Sequence, residues 1–327
     1  MPSIYYHLSH YISHRTAGQA FMAALRGAGI TLSPTPEDAD VLILHDDPLN
    51  LPDLIRTHRG RRHIIAYCVW EADILPEAYR RCLQGVDRVW TCTPYSARPF
   101  AEAGFRVEVV PHVVDPPRPG QDDIQAVKEA VDFQDGTFYF YTVADSVNPR
   151  KNLKTLLSVF ATTFKSPAPV RLVVKQYRHP WDLGSLDNVV SIDRELSPGR
   201  MAALHRVCHA YVSAHHAEAW GLSLSDAMSA GNPVIATGFS GNMFYMNAGN
   251  SFPIDHTLTR VSQEMCALVP LFTPDMTWAD IDPGHLAHCM RKVAKGRYGP
   301  ALTQNAASAM RPFGRRDIGT AMHQLLA

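Results

Sequence analysis

Short, nearly continuous apolar runs, each bounded by polar or turn-forming residues, set the rhythm of this chain. Ser3–Leu8, Asp40–Leu44, His63–Tyr67, Val86–Trp90 and Val107–Pro111 read as strands. Between the first two, Ala20, Phe21, Ala24 and Leu25 recur at helical spacing, and Gly27 and Gly29 end that helix. The alternation restarts further on, with strands at Phe138–Val143, Val170–Val174, Val189–Ile192, Ala210–Ala214 and Pro233–Ala236. A helix is expected around Leu153–Phe164. Another runs from about Gly221 to Gly231 and carries Leu222, Leu224, Ala227 and Met228. Buried strands alternating with helices predict βαβ units and parallel sheets.

The length, 327 residues, exceeds what one core usually fills, so two domains are expected. Asp115-Pro-Pro-Arg-Pro-Gly120 cannot continue a sheet and is stiff, which suits a hinge. The expected division is 1–116 and 117–300, each Rossmann-like. A tail helix, 301–327, has helical spacing at Ile318, Met322 and Leu325.

Composition narrows the function. Lysine plus arginine and aspartate plus glutamate both number 31, so the formal charge is zero and nothing points to nucleic acid. The six cysteines lie apart, without a C-x-x-C pair, and read as buried thiols in a reducing cytosol. No stretch approaches the ~18 apolar residues of a membrane span, and histidines interrupt the start where a signal peptide needs an apolar core. The expected location is cytoplasmic. Peripheral membrane association stays open, although no basic amphipathic helix argues for it.

The candidate chemistry gathers between Ser213 and Ile254. Glu218 precedes the helix that begins near Gly221, and Asp226 lies inside that helix. The glycine-rich turn Thr237-Gly-Phe-Ser-Gly-Asn242 follows the next strand. Loops after parallel strands collect at one sheet edge, so both acids and the turn can face one crevice. Two basic stretches end up at the same edge. Arg150 and Lys151 follow the strand at 138–143, and Lys175 ends the strand at 170–174.

The ordered string from Glu218 through Ala227-Met228, Gly231, Pro233-Val-Ile-Ala-Thr237 and Ser240-Gly-Asn242 resembles the donor site of retaining GT-B glycosyltransferases of the family 4 type. Val69-Trp-Glu-Ala-Asp-Ile-Leu-Pro76, Asp87-Arg-Val-Trp90, Thr93-Pro-Tyr-Ser96 and Val109-Val-Pro-His-Val-Val-Asp115 are similar to the acceptor-side domain of the same enzymes. The resemblance implies two Rossmann-like domains facing across a crevice. It also implies transfer of a sugar from a nucleoside diphosphate donor to a hydroxyl acceptor, with retention and without a metal or other cofactor. The acceptor would be a glycan, a lipid-linked glycan or a small molecule.

Residue by residue, the resemblance implies that Arg150 and Lys175 grip the diphosphate, with Lys151 beside them. Glu218 takes the transferred sugar and Asp226 the ribose hydroxyls, since a carboxylate offers two acceptors to a cis-diol. His215, Leu222, Ser240, Gly241, Asn242 and Met243 complete the donor side, with the backbone N–H groups from Ser240 to Met243 as further donors. On the acceptor side Glu71 is the catalytic or positioning candidate, with Trp70, His112, His14 and Arg15 around it. The acidic pairs Asp38/Asp40 and Asp46/Asp47 read as structural.

Phe244 departs from the pattern, because the family places an acid there. It leaves a second reading open, a non-catalytic partner subunit that binds a nucleotide sugar or glycan.

Overall fold

The structure, a computed structural model, describes residues 2–178, 180–183 and 186–327. Two compact units divide the chain. The first comprises the residues up to Asp115 with Leu271–Met276 and Pro312–Ala327, and the second comprises Pro116–Pro270 and Thr277–Arg311.

The first unit runs β1 (Ile4–Leu8), α1 (Ile12–Gly27), β2 (Val41–His45), α2 (Pro52–His58), β3 (His63–Tyr67), α3 (Glu77–Cys82), β4 (Arg88–Thr91), α4 (Pro94–Glu102) and β5 (Val107–Val109). Its strands form one parallel sheet in the order β1-β2-β3-β4-β5, with Ile4 opposite Val41 and Ile65 opposite Arg88. β2 and β3 are buried almost throughout, as their unbroken apolar sequence requires. A lone parallel bridge from Ile4 to Leu32 adds a rudimentary strand beyond β1. The chain therefore leaves β1 toward one side and returns on the other at β2, which places a topological switch at their C-terminal ends.

The second unit runs α5 (Gln121–Ala130), β6 (Phe138–Ala144), α6 (Leu153–Thr163), β7 (Val170–Gln176), β8 (Val189–Ile192), α7 (Pro198–Val207), β9 (Ala210–Ser213), α8 (Leu222–Ser229), β10 (Val234–Thr237) and β11 (Phe252–Ile254). It continues with β12 (His256–Arg260), α9 (Gln263–Leu268), β13 (Thr277–Ile281), α10 (Pro283–Ala294) and α11 (Pro300–Met310). The main sheet is parallel, in the order β11-β10-β9-β6-β7-β8. From β6 the chain builds outward through β7 and β8, then returns to lay β9, β10 and β11 on the other side of β6. The reversal falls between β6 and β9, and open α/β sheets bind ligands beyond the carboxyl ends of such strands. Phe140, Leu172, Val174, Val212 and Ile235 from the strands pack with Leu156, Phe160, Leu286 and Met290 from α6 and α10 to form one core beneath the sheet.

Two features lay outside the expected pattern. β12 and β13 pair antiparallel as a separate ribbon, His256 opposite Ile281, too short and too mixed in sequence to declare a strand period. The tail beyond residue 300 forms two helices rather than one: α11 lies on α8, and the last helix, α12 (Arg315–Leu326), packs on α1 in the first unit. Gly319 is what allows α12 so close, because a Cβ there would stand 2.4 Å from the Ala24 carbonyl oxygen. No helix among the described residues is long and apolar enough to cross a membrane.

Candidate functional site

The loop after β6 is shaped by its own side chains. Asn148 accepts from the Arg150 amide at 3.0 Å and caps a single 3-10 turn, Pro149–Lys151, whose exit residue Asn152 takes a left-handed conformation (φ 50°). That turn brings the Arg150 carbonyl to the His216 amide (2.8 Å) and so ties the loop after β6 to the loop after β9. Both loops spring from the switch point.

Across this seam Arg150, Lys151 and Glu218 form one charge cluster. Arg150 Nη1 lies 3.1 Å from Glu218 Oε2 and also donates to the Ala217 carbonyl at 2.7 Å, while Lys151 Nζ donates to Glu218 Oε1. Glu218 is only 9% exposed, and burial by itself would raise its pKa. Lys151 and Arg150 outweigh that and hold the carboxyl well below the usual carboxylate range. The stretch from His215 to Trp220 is mostly buried, with Ala217, Ala219 and Trp220 turned inward.

A second turn locks Glu218 from behind. The Glu218 amide donates to Ser240 Oγ (2.8 Å), and the Gly241 amide donates to the Glu218 carbonyl (2.8 Å). Gly241 is obligatory here, because a Cβ at that position would meet the Ala219 carbonyl oxygen at 1.8 Å. Ser240 itself adopts φ 75°, a conformation that a side chain tolerates only when its surroundings hold it. Asn242 is that support: its Nδ2 donates to the Thr237 carbonyl at 2.9 Å, and its Oδ1 lies 3.2 Å from Ser240 Oγ and 3.1 Å from His215 Nε2. With Asn242 oriented so, His215 carries its proton on Nε2 and accepts from Ser213 Oγ at Nδ1 (3.0 Å). Burial pushes the His215 pKa down to about 4, so this bridge is neutral.

These bonds change four of the expected donor contacts. The side chains of His215 and Asn242 are spent on one another, and the amides of Gly241 and Met243 are spent on Glu218 and Ser240. All four act by holding the Glu218 loop.

Asp226 is placed differently. Gly221 (φ 85°) turns the chain into α8, so Leu222 heads the helix and Asp226 falls one turn later on the same face. Among the described residues, no hydrogen bond or ion pair reaches the partly exposed Asp226 carboxylate, and desolvation raises its pKa to about 7. Lys175 is the penultimate residue of β7, beside the end of β6. It is 5% exposed, its Nζ donates to the Gln176 carbonyl, and burial lowers its pKa despite Glu195 and Asp193 nearby.

Gln176 was not among the expected site residues. Wholly buried, it accepts from Ser146 Oγ and the Trp181 amide (2.8 Å) and donates to Ser191 Oγ (2.8 Å), knitting together the ends of β6, β7 and β8. Arg178, also missed, pairs with Asp145 at 3.0 Å. A polar residue inside an apolar strand end is visible in sequence, but its partners are not.

The remaining candidates lie in the first unit. Trp70, expected on the acceptor side, is 2% exposed; its ring packs against Phe272 (4.6 Å) and Tyr79 (5.3 Å), and Nε1 donates to the Ile74 carbonyl. It is a core residue in this structure. His112 is also buried, stacked on Phe21 (5.7 Å), and burial takes its pKa down to about 3. His14 lies 5.7 Å from His45; burial lowers its pKa, opposed by the charges of Glu71, Asp46 and Asp47. The charge of Glu71, beyond the end of β3, thus acts on His14, near the start of α1. Arg15 is exposed on the first turn of α1. Asp46 and Asp40 are structural: Asp46 Oδ1 accepts from Ser9 Oγ (2.6 Å) and Asn50, and Asp40 accepts from Ser3.

Residues 123–252 match the model of the family described as glycosyl transferases group 1. No curated protein matches the chain's sequence at a significant level. Solved structures are similar in fold. HepE from Anabaena in complex with UDP superposes with a TM-score of 0.69 at 16% identity, covering 100% of this chain and 99% of that one. A glycosyltransferase from Rickettsia africae gives 0.68 at 12%, covering 99% and 97%. Sucrose-phosphate synthase from Thermosynechococcus elongatus gives 0.65 at 15%, covering 88% and 73%. Against the pneumococcal O-GlcNAc transferase GtfA, in complex with UDP and GlcNAc, the TM-score is 0.63 at 12% identity over 88% of this chain, which spans only 56% of GtfA. The fold is GT-B, and the family match spans the stretch from Glu218 to Asn242.

Proposed function

We propose that this GT-B protein transfers a sugar, with retention of anomeric configuration and without a metal, from a nucleoside diphosphate donor to a hydroxyl acceptor. The observation that carries the reading is the clasp at the β6/β9 switch point, where Arg150 and Lys151 hold the Glu218 carboxylate one helix entry away from the unpartnered Asp226.

Breaking the anomeric C–O bond builds negative charge on the leaving phosphate and positive charge on the sugar ring. Arg150 and Lys151, with Lys175 at the neighbouring strand end, stabilise the first charge. The head of α8 adds N–H groups and the positive end of its dipole. Glu218, kept ionised by its two cations, answers the second charge and takes the sugar hydroxyls. Asp226 takes the ribose diol. The leaving phosphate, on the same face as the incoming hydroxyl, accepts the acceptor's proton, which yields retention without a protein nucleophile.

The UDP-bound neighbours support a nucleotide donor for this chain as well, and the two acidic positions and three cations support a working rather than a merely binding site. Incubation with a panel of nucleotide sugars tests this. Slow donor hydrolysis that disappears in Glu218→Ala is expected, whereas tight binding without turnover under any acceptor leaves the non-catalytic reading in place. Melting with free nucleoside diphosphates identifies the base, because a ligand at ~100 times its dissociation constant stabilises by about 2.7 kcal/mol.

A further inference from the structure

Three successive residues hold Arg150: the His216 amide donates to its carbonyl at 2.8 Å, the Ala217 carbonyl accepts from its Nη1 at 2.7 Å, and Glu218 Oε2 lies 3.1 Å from the same nitrogen. His216 also meets the outer edge of the β12–β13 ribbon. The Ala279 amide of β13 donates to the His216 carbonyl at 3.0 Å, and His216 Nδ1 donates to the Ala279 carbonyl at 2.7 Å. The N–H and C=O of one strand residue point to the same side, so Ala279 turns both away from Leu258, opposite it on β12, and relies on His216 for both bonds. A neighbouring strand would answer them with its own carbonyl and amide. Here the backbone amide is committed to Arg150, and the imidazole N–H stands in for it. The ring is fixed for that role. It lies flat on Trp278, itself 2% exposed, with centroids 4.1 Å apart and planes 14° from parallel, and Asp280 Oδ1 stands 3.0 Å from the same Nδ1. Two acceptor oxygens at Nδ1 place the proton on that nitrogen.

Resting on the reading of this site as that of a nucleotide-sugar transferase, we propose that His216 is a positioning residue for the transfer. By satisfying the Ala279 carbonyl with its side chain, it leaves its backbone amide free to hold the loop that carries Arg150 against the loop that carries Glu218. Ala279 is wholly buried, so without the Nδ1 proton its carbonyl has neither that donor nor water. The amide of residue 216 is then drawn toward Ala279 and away from Arg150. Arg150 is needed where charge grows on the leaving phosphate, so a displaced loop costs turnover more than donor binding, which Lys151 and Lys175 still support. Misplacing a group by about 1 Å costs up to about a hundredfold in rate.

The test separates the hydrogen bond from the stacking, with donor hydrolysis and thermal melting followed for wild type, His216→Asn and His216→Phe. Asparagine keeps an N–H near the place of Nδ1 but cannot cover Trp278, whereas phenylalanine covers Trp278 and has no N–H. Below the lowest melting temperature, His216→Asn is expected to keep kcat within about threefold of wild type even where it melts earlier. His216→Phe is expected to lose about tenfold to a hundredfold in kcat, with the donor KM changed by less than about threefold. His216→Ala lacks both features, should match the phenylalanine variant in kcat, and takes its place if that variant does not accumulate. Wild-type turnover in His216→Phe, equal losses of kcat in both variants, or a loss confined to KM overturns the inference and leaves the transferase reading intact. No hydrolysis of any nucleotide sugar by the wild-type chain overturns the transferase reading and this inference with it.

Discussion

Replacing Glu218 by glutamine removes one charge from the centre of the site and almost no volume. In the wild-type chain both carboxylate oxygens are occupied, one by Arg150 and one by Lys151, and the three side chains keep 10–16% of their exposure. Removing one partner from a buried ion pair costs about 3–5 kcal/mol, because the charges left behind remain desolvated. The residual exposure here argues for the lower end, about 3 kcal/mol. In a unit of this size each kcal/mol moves the melting temperature by roughly 2–4 °C, so Glu218→Gln is expected to melt about 6–12 °C below wild type.

The sign can be checked against pH. Glu218 has a folded-state pKa depressed below its ordinary 4.5, so its stabilisation is fully present above that value and is lost as the pH falls through the folded-state pKa. The gap between wild type and variant should therefore narrow on acidification below about pH 4.5. Differential scanning calorimetry across pH 3–8 measures it. A nucleoside diphosphate should raise the melting point of Glu218→Gln by more than that of wild type, since its phosphates replace the missing counter-charge. The double variant Glu218→Gln/Lys151→Met should lose less than the sum of the single losses. Additive losses, or a variant as stable as wild type at pH 7, would refute the argument that the clasp neutralises Arg150 and Lys151 in the free protein.

Three further outcomes are expected. Asp226 has a pKa raised to about 7, so its destabilisation of the free protein is absent below 3.8, grows as the pH rises, and is complete above 7. Asp226→Asn should therefore leave the protein as stable as wild type or more so at pH 8 while weakening nucleoside diphosphate binding at least tenfold, and calorimetric titration that shows unchanged affinity would remove Asp226 from the ribose site. Gly241→Ala should fail to fold or lose several kcal/mol, because its methyl group overlaps the Ala219 carbonyl. Gly27→Ala, where a Cβ meets nothing within 4 Å, should be neutral or slightly stabilising by thermal melt.

The strands were legible because each is a short apolar run fixed by local composition. His63–Tyr67 is the same stretch in sequence and structure, and Phe138–Ala144 and Val170–Gln176 extend their expected cores by one or two residues. The meeting of the loops that carry Arg150 and Glu218 was legible too, because parallel topology sends the ends of β6 and β9 to one edge of the sheet. The sequence by itself thus determined the alternation, the parallel sheets and the chemical types at the site.

Which side chains face a ligand and which face each other was decided by the tertiary structure. His215 and Asn242 share the motif with Glu218, yet they bond to one another across 27 residues. Trp70 reads as an acceptor-side residue, but Phe272, about two hundred residues away, lies against it. The partners of Gln176 cannot be read until β6, β7 and β8 are side by side. A hydrogen bond is a pairing between atoms, and a buried polar atom will take whichever partner the packed chain brings within reach. Local sequence specifies the donor or acceptor, and only the assembled sheet specifies its mate.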